Sequence, residues 1–362
     1  MFKKNFKFLS RIFFLLIYGK ISKNETKSKE NIKITKIKSL KPNSSKIKNY
    51  YLYEIKDGRI YSDNVENVAV ISNNKIIKDI SFQQVDSVIR PAKYNCVIKE
   101  GTPRFIKKFK GTVLLLNQGA ISNKNYCHWL LDVLPKIKIC LQKYNLKKIN
   151  YFYIQNKLTF QKQSLAKLGI LDKKIIDCNK YKHIQADKII AITHHVYKNN
   201  DYILNAQKNQ PQWSINWLRQ KFLKNKNNKK NKNRIFIDRS DSKNNHCRII
   251  NNDETLLLLK KLNFKIYQLS KINFIEQVKI FNNANIVVGV HGAGLTNIIF
   301  CKKKTKILEI RQKPNPNKIF QKIGLFNKLK FKVIKVNEIN NNDNGDILIN
   351  IQNLEKHIKN FF

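Results

Sequence analysis

The sequence predicts an α/β protein whose C-terminal half is built on a parallel sheet. Three observations carry that prediction. Strand-like and helix-like segments alternate with short connections from residue 234 to 336, and a glycine-rich turn closes one of the strands. The 362 residues, 42% hydrophobic and 10% aromatic, also supply enough apolar surface for two domains of roughly 150 residues each.

Taken in order, Phe6 to Tyr18 is aromatic and basic, but its uninterrupted apolar run, Ile12 to Tyr18, is far short of the roughly 20 residues that span a bilayer. No small-residue cleavage site follows, only Lys20-Ile21-Ser22-Lys23. The segment reads either as an interfacial anchor or as a helix capping the N-terminal domain. Residues 22–48 are rich in Lys, Asn and Ser and read as a linker, so that the fold is expected to begin near Tyr50. From Tyr50 to Ile121, β-branched and aromatic runs such as Val68 to Ile71 and Val113 to Leu116 predict strands. Between Asn125 and Leu141 the apolar residues fall at helical spacing; Tyr151 to Ile154 returns to strand, Gln161 to Leu168 to helix and Lys188 to Thr193 to strand.

The polar run LKNKNNKKNKN, from Leu223, is predicted to be a solvated loop at a domain boundary. Beyond it the pattern is regular: strand Arg234 to Asp238, helix Asp253 to Leu262, strand Lys265 to Leu269, helix Phe274 to Asn282 and strand Ile286 to Val290. The turn His291-Gly292-Ala293-Gly294-Leu295-Thr296-Asn297 follows, then a short helix to Phe300 and strands Lys306 to Ile310 and Phe331 to Val336. The expected organisation is an N-terminal segment and linker at 1–48, an α/β domain at 49–222, a loop at 223–233 and a second α/β domain at 234–362.

A formal charge of +47, from 71 Lys+Arg against 24 Asp+Glu, would ordinarily indicate nucleic acid or an anionic membrane. The lysines are spread along the whole chain and accompany an excess of Asn and Ile, a compositional bias more than a clustered face. No specific nucleic acid is therefore expected, while anionic ligands and peripheral contact with an anionic membrane are favoured. The six cysteines show no CxxC spacing and read as buried, reduced thiols of a cytoplasmic protein. No Asp-x-Asp element, metal-ligand spacing or P-loop occurs, so neither a metal nor a cofactor is expected.

Two constellations carry chemistry. In the glycine turn, a strand passes into a helix whose free N–H groups suit a phosphate, with His291, Thr296 and Asn297 adding polar side chains. Arg239 and Arg248, in the loop after the preceding strand, have guanidinium groups able to bind phosphate bidentately. The glycines serve either that ligand or the tight turn itself. In the second constellation, Asn125 to Pro135, His128 and Asp132 lie four apart on one helical face, a spacing suited to general-base work. The competing reading has Trp129, Val133 and Leu134 in the core and His128 bonded locally.

These pieces together resemble glycosyltransferase family 61, through NYCHWLLDVLPK at 125–136, FIDRSDSKNNHCRIINNDE at 236–254, FIEQVKIFNNANIVVGVHGAGLTNIIF at 274–300 and KILEI at 306–310. The resemblance implies a GT-B-like architecture, two Rossmann-like domains facing a cleft, with inverting, metal-independent transfer from a nucleotide-sugar donor, UDP-linked, to a glycan acceptor. It implies donor contacts from Arg239, Arg248, His291 and the turn Gly292, Ala293, Gly294, Leu295, Thr296 and Asn297. Glu276 and Glu309 fall in the same motifs as ribose-binding, turn-positioning or structural groups. Asp132 or His128 becomes the base, in an enzyme of bacterial surface or capsular polysaccharide synthesis, cytoplasmic or peripheral on the inner face of the plasma membrane. Asp238 and Lys136 depart from the family's usual residues; Asp238, beside a diphosphate, is expected to turn away. The alternatives are an inactive nucleotide-binding partner of a polysaccharide pathway and a basic nucleic-acid binder.

Overall fold

A computed structural model describes residues 2–22, 30–38, 40–64, 67–85, 88–117, 125–198, 207–223, 233–241, 247–313, 315–337 and 345–361. It divides into two compact units, Met1–Ser214 and Ile215–Phe362. Most of the polar run after Leu223 lies outside the described residues.

Among the described residues, the N-terminal unit holds an eleven-stranded mixed sheet. Its strands are β1 (Ile32–Lys38), β2 (Asn49–Lys56), β3 (Arg59–Asn64), β4 (Asn67–Ser72), β5 (Lys75–Ile76), β6 (Phe82–Val85), β7 (Val88–Arg90), β8 (Lys107–Leu115), β9 (Tyr151–Tyr153), β10 (Ile175–Ile176) and β11 (His183–Ile192). The order β10-β9-β8-β11 is parallel, and β11 then pairs antiparallel with both β3 and β2. The strands from Asn49 to Ile76 cannot be parallel neighbours, because they are joined by turns too short for a crossover. Asn73 and Asn74, for example, both adopt positive φ in the two-residue turn between β4 and β5. This unit is therefore a parallel core of four strands carrying an antiparallel extension, and not a wholly parallel Rossmann-like sheet.

One further difference from the sequence reading concerns the N-terminus. The stretch read as a linker contains β1, which pairs along its whole length with β2, from Ile32↔Ile55 to Lys38↔Asn49. Its alternating lysines, the mark of a protected sheet edge, hide it in a lysine-rich segment. Residues Phe2–Tyr18 form one helix, ended by Gly19 at φ 74°, where the amide donates back to the Leu15 carbonyl.

In the C-terminal unit β12 (Asn233–Asp238), β13 (Phe264–Gln268), β14 (Ala284–Val290), β15 (Lys306–Lys313) and β16 (Lys330–Asn337) form an all-parallel sheet in the order β13-β12-β14-β15-β16. One face packs Phe236, Val288, Leu308 and Ile334 against Leu258 and Leu259 of helix Asn252–Lys261 and Leu354 and Ile358 of helix Ile351–Phe361. Elsewhere in the unit, Phe222, Phe274 and Phe300 meet edge to face. Every strand predicted here is present, within two residues of its expected start. Helices Gln212–Phe222, Ile319–Phe326 and Ile351–Phe361 were not anticipated. The second of these is interrupted by Gly324, which weakens its helical signature, yet it buries Ile319, Phe320 and Ile323.

Phe236 is fully buried on β12, an interior strand, whereas Leu325 is 75% exposed. Phe236→Ala is expected to cost about 3–5 kcal/mol in chemical denaturation, and Leu325→Ala to stay within about 0.5 kcal/mol.

Candidate functional site

Relative to its first strand, the C-terminal sheet has the order 2-1-3-4-5, and the chain leaves β12 toward one side and β14 toward the other. The carboxyl ends of these two neighbours flank the crevice where doubly wound sheets bind ligands. Arg239 directly follows β12 and His291 directly follows β14, so this topology brings the two together. The Arg239 Nη1 donates to the His291 carbonyl at 3.0 Å.

Gly292 makes that contact possible. A Cβ placed there would lie 1.3 Å from Arg239 Nη1, so the guanidinium occupies the space a side chain would need. The neighbouring glycines are likewise backed by protein: a Cβ at 289 would press on Ile237 at 3.2 Å, and one at 294 on Leu269 at 3.0 Å. The turn thus needs its glycines for internal packing, and in the case of Gly292 to seat an arginine at the switch point. Burial lowers the Arg239 pKa from its ordinary value.

His291 is oriented from behind. Its Nδ1 hydrogen-bonds Glu309, on β15, which is fully buried and also receives Arg311 through Nε at 3.0 Å and Nη2 at 2.6 Å. The bidentate arginine sets an opposite charge against the buried carboxylate. With Nδ1 engaged, the Nε2 of His291 has no hydrogen-bond partner among the described residues. The His291 ring rests against Phe320. Glu309 thus backs the His291 ring; Arg311, which the sequence reading missed, sits two residues further along the same strand.

The remaining residues of this constellation have other placements. Asp238 is buried, a cost to its charge that hydrogen bonds from Ser240, Gln268 and Asn252 outweigh, so that its pKa falls below the ordinary value. Asn297 is fully buried, and its amide donates to Gln277 Oε1 at 2.9 Å, tying the turn to helix Phe274–Asn282. Leu295 is core, and the buried Thr296 hydroxyl has no partner among the described residues. Ala293 and Gly294 are partly exposed on the turn. Arg248 is held by Asp346, through its amide at 2.8 Å and its guanidinium at 3.1 Å, which pins the C-terminal segment to this loop. Glu276 is half-buried and, among the described residues, its carboxylate pairs with Lys279 at 2.9 Å and not with His291.

The second constellation lies in the N-terminal unit. Asn125 caps the helix by accepting from the Cys127 and His128 amides. The expected continuous helix is instead α from Tyr126 to His128, π from Trp129 to Val133 and α again from Leu134 to Cys140. Pro135 is the physical cause. It has no N–H to give the Leu131 carbonyl four residues earlier, which accepts instead from His195 Nε2 at 2.7 Å and Gln210 Nε2 at 3.4 Å. Trp129, Val133 and Leu134 are fully buried, and the Trp129 indole donates to Ser164.

His128 and Asp132 do meet, with Nδ1 to Oδ2 at 2.5 Å, and the Tyr197 hydroxyl donates to the same oxygen at 2.9 Å. The apolar residues thus form core, as the competing reading has it, and the polar pair meets side chain to side chain. Asp132 is almost out of solvent, with its side chain 2% exposed against 11% for His128. Around them, His194 stacks on Tyr197, and burial depresses the pKa of His194 strongly and that of His195 to about 4. Lys136 is completely buried, its ammonium donating to the Leu116 carbonyl at 3.2 Å. Burial lowers its pKa to about 7, against an upward pull from Asp132. Tyr197, His194 and His195 were missed in the sequence; the adjacent histidines in a chain with 7 were the available signal.

Cys96 is half-buried and the other five cysteines are buried, none of them paired with another. Among the described residues no three His, Cys, Asp or Glu side chains converge as a metal-binding group.

Comparison with known proteins places these geometries in context. The profile of the family described as Glycosyltransferase 61 matches residues 126–308, half of the chain, from the His128 helix through the His291 turn. A stretch of 68 residues, 17% of this chain, is 32% identical to the EGF domain-specific O-linked N-acetylglucosamine transferase of Mus musculus. That match spans 13% of the mouse protein's length.

Two predictions follow from these geometries. Gly292→Ala is expected to expel the Arg239 guanidinium and to weaken nucleotide binding as much as removing Arg239 itself, measured by calorimetry. Lys136 binds its proton less tightly in the folded than in the unfolded chain, so unfolding takes up a proton from about pH 7 upward. Stability should then rise between pH 7 and 9 in the native protein, and this rise should be absent in Lys136→Met when unfolding free energies are compared across that range.

Proposed function

The chain belongs to glycosyltransferase family 61, and from that membership we propose that it moves a sugar from a nucleotide-sugar donor, UDP-linked, to a hydroxyl of a glycan acceptor by inverting, metal-independent displacement. The observation that carries this reading is the pair of histidines in the matched region. Each is held through Nδ1 by a buried carboxylate, and each has its Nε2 left for chemistry.

Inverting transfer requires a base to take the acceptor hydroxyl's proton as its oxygen attacks the anomeric carbon, and positive charge to receive the departing diphosphate. His128 supplies the first. Asp132 accepts from both His128 and Tyr197 and is nearly closed to solvent, so it acts as the positioning residue. Holding Nδ1–H on the carboxylate leaves the lone pair of Nε2 for the acceptor proton, and the imidazolium so formed is stabilised against Asp132. Arg239 supplies the second. The Arg239 guanidinium lies at the switch point to receive the leaving phosphate, with the His291 ring, backed by Glu309, beside it. Charge stabilisation by side chains takes the place of a divalent cation, in keeping with the lack of an Asp-x-Asp element.

A GT-B-like arrangement, with donor bound by the C-terminal unit and acceptor by the N-terminal unit, belongs to this proposal. So does a role in bacterial surface polysaccharide synthesis on the cytoplasmic side of the plasma membrane. The name of the mouse relative makes an N-acetylglucosamine donor the first to assay.

Release of nucleoside diphosphate from a panel of nucleotide-sugars, with product identified by mass spectrometry, tests the activity. His128→Ala is expected to lower kcat by about 100- to 10,000-fold with nucleotide affinity unchanged. Asp132→Asn should act the same way, and near-native turnover in either variant removes the dyad from the mechanism. Arg239→Ala should raise the nucleotide Kd, and Arg239→Lys should not restore it. Turnover should survive EDTA; a loss reversed by added manganese would overturn metal independence.

A further inference from the structure

Among the described residues, the N-terminal helix Phe2–Tyr18 is fastened to the body of its unit by one side. Arg11 pairs with Glu100 at 2.7 Å, Phe14 packs edge to face on Phe105, and the Tyr18 hydroxyl accepts from the Ile106 amide at 3.2 Å. Leu15 covers Gly101, where an added Cβ would lie 3.0 Å from its side chain. The opposite side presents Phe8, Leu9, Ile12, Phe13, Leu16 and Ile17, all exposed, with Leu16 reaching 82%. These positions repeat at helical spacing and form one stripe about 14 Å long. Phe105, 72% exposed and in ring contact with Phe13 and Phe14, widens it.

Cations flank this apolar face. Beside it, Phe14, Phe105, Arg104, Lys107, Lys180 and Lys182 line a cleft of 380 Å³. The cleft thus combines aromatic walls with four positive side chains. No helix among the described residues is long and apolar enough to cross a membrane.

We propose that this face is a docking surface for an anionic phospholipid bilayer. The helix lies in the plane of the membrane with the Phe8 to Ile17 stripe among the acyl chains and the Arg104, Lys107, Lys180 and Lys182 cleft at the level of the phosphate headgroups. Apolar burial and attraction to anionic headgroups act together at such a surface, and neither alone holds a peripheral protein firmly. A lone apolar face could equally receive a second copy of the chain; the basic cleft beside the stripe favours lipid, because two copies would bring like charges together.

The test is flotation of the full-length chain with phosphatidylcholine vesicles, with and without roughly one third phosphatidylglycerol. Wild type is expected to float with the anionic vesicles and not with the neutral ones. The double variant Phe13→Ser, Leu16→Ser keeps the net charge and removes exposed side chains only, so it separates insertion from adsorption by the overall positive charge. Its partition should fall by about tenfold or more. The variant Lys107→Glu, Lys180→Glu should also float less and lose most of its salt dependence. Flotation of the serine variant equal to wild type would overturn the proposal in favour of adsorption by net charge. Absence of wild-type flotation would overturn it as well. In that event, self-association in sedimentation velocity that the serine variant abolishes would assign the face to a second copy.

Discussion

A side chain at position 292 and the guanidinium of Arg239 cannot occupy the same space, and the C-terminal site is arranged around that exclusion. Because position 292 is glycine, the residue after β12 can reach the backbone after β14 and join the two strands on either side of the switch point. His291 is then held from in front by its carbonyl and from behind by Glu309, which in turn is held by Arg311 from the same strand. Each link depends on the one before it: without the glycine the arginine is displaced, and without the buried carboxylate the imidazole loses its tautomer and orientation.

The N-terminal unit reaches a comparable result by a different route. There the enabling feature is a missing donor. Pro135 frees the Leu131 carbonyl, His195 and Gln210 satisfy it, and the π turn that accommodates the change carries Asp132 into the interior beside Tyr197. His128 remains at the rim with Nδ1 bound to that carboxylate. Lys136, one turn further along, is retained in the interior with a carbonyl partner and a lowered affinity for its proton, a costly placement that couples stability to pH. Both units therefore present a histidine whose ring is oriented by a buried carboxylate at Nδ1.

Much of this was readable in the linear order of residues. The five strands of the C-terminal sheet announce themselves because buried parallel strands are short runs of Val, Ile and Leu between helical repeats, and the His128–Asp132 spacing already implies contact on a helix. Sequence alone also marked Arg239 and His291, since polar side chains at strand ends have little structural reason to be there. The edge strand β1 was not readable, because alternation with lysine in a lysine-rich stretch has no contrast. Nor was the mixed character of the N-terminal sheet, which depends on which strands pair and not on how any one of them looks.

What the sequence by itself determined, then, is the α/β class, the strand ends that carry polar side chains and the family to which they belong, because these rest on local periodicity and short motifs. Only the tertiary structure decided which of those side chains work together. Arg248 and Asn297 carry the right chemistry, yet Asp346 and Gln277 engage them, while Arg311 and Tyr197 enter the clusters from positions with no local signature. The physical reason is that a hydrogen bond between residues far apart in the chain is set by strand order and by where backbone donors are missing, and neither is written in the spacing of neighbours.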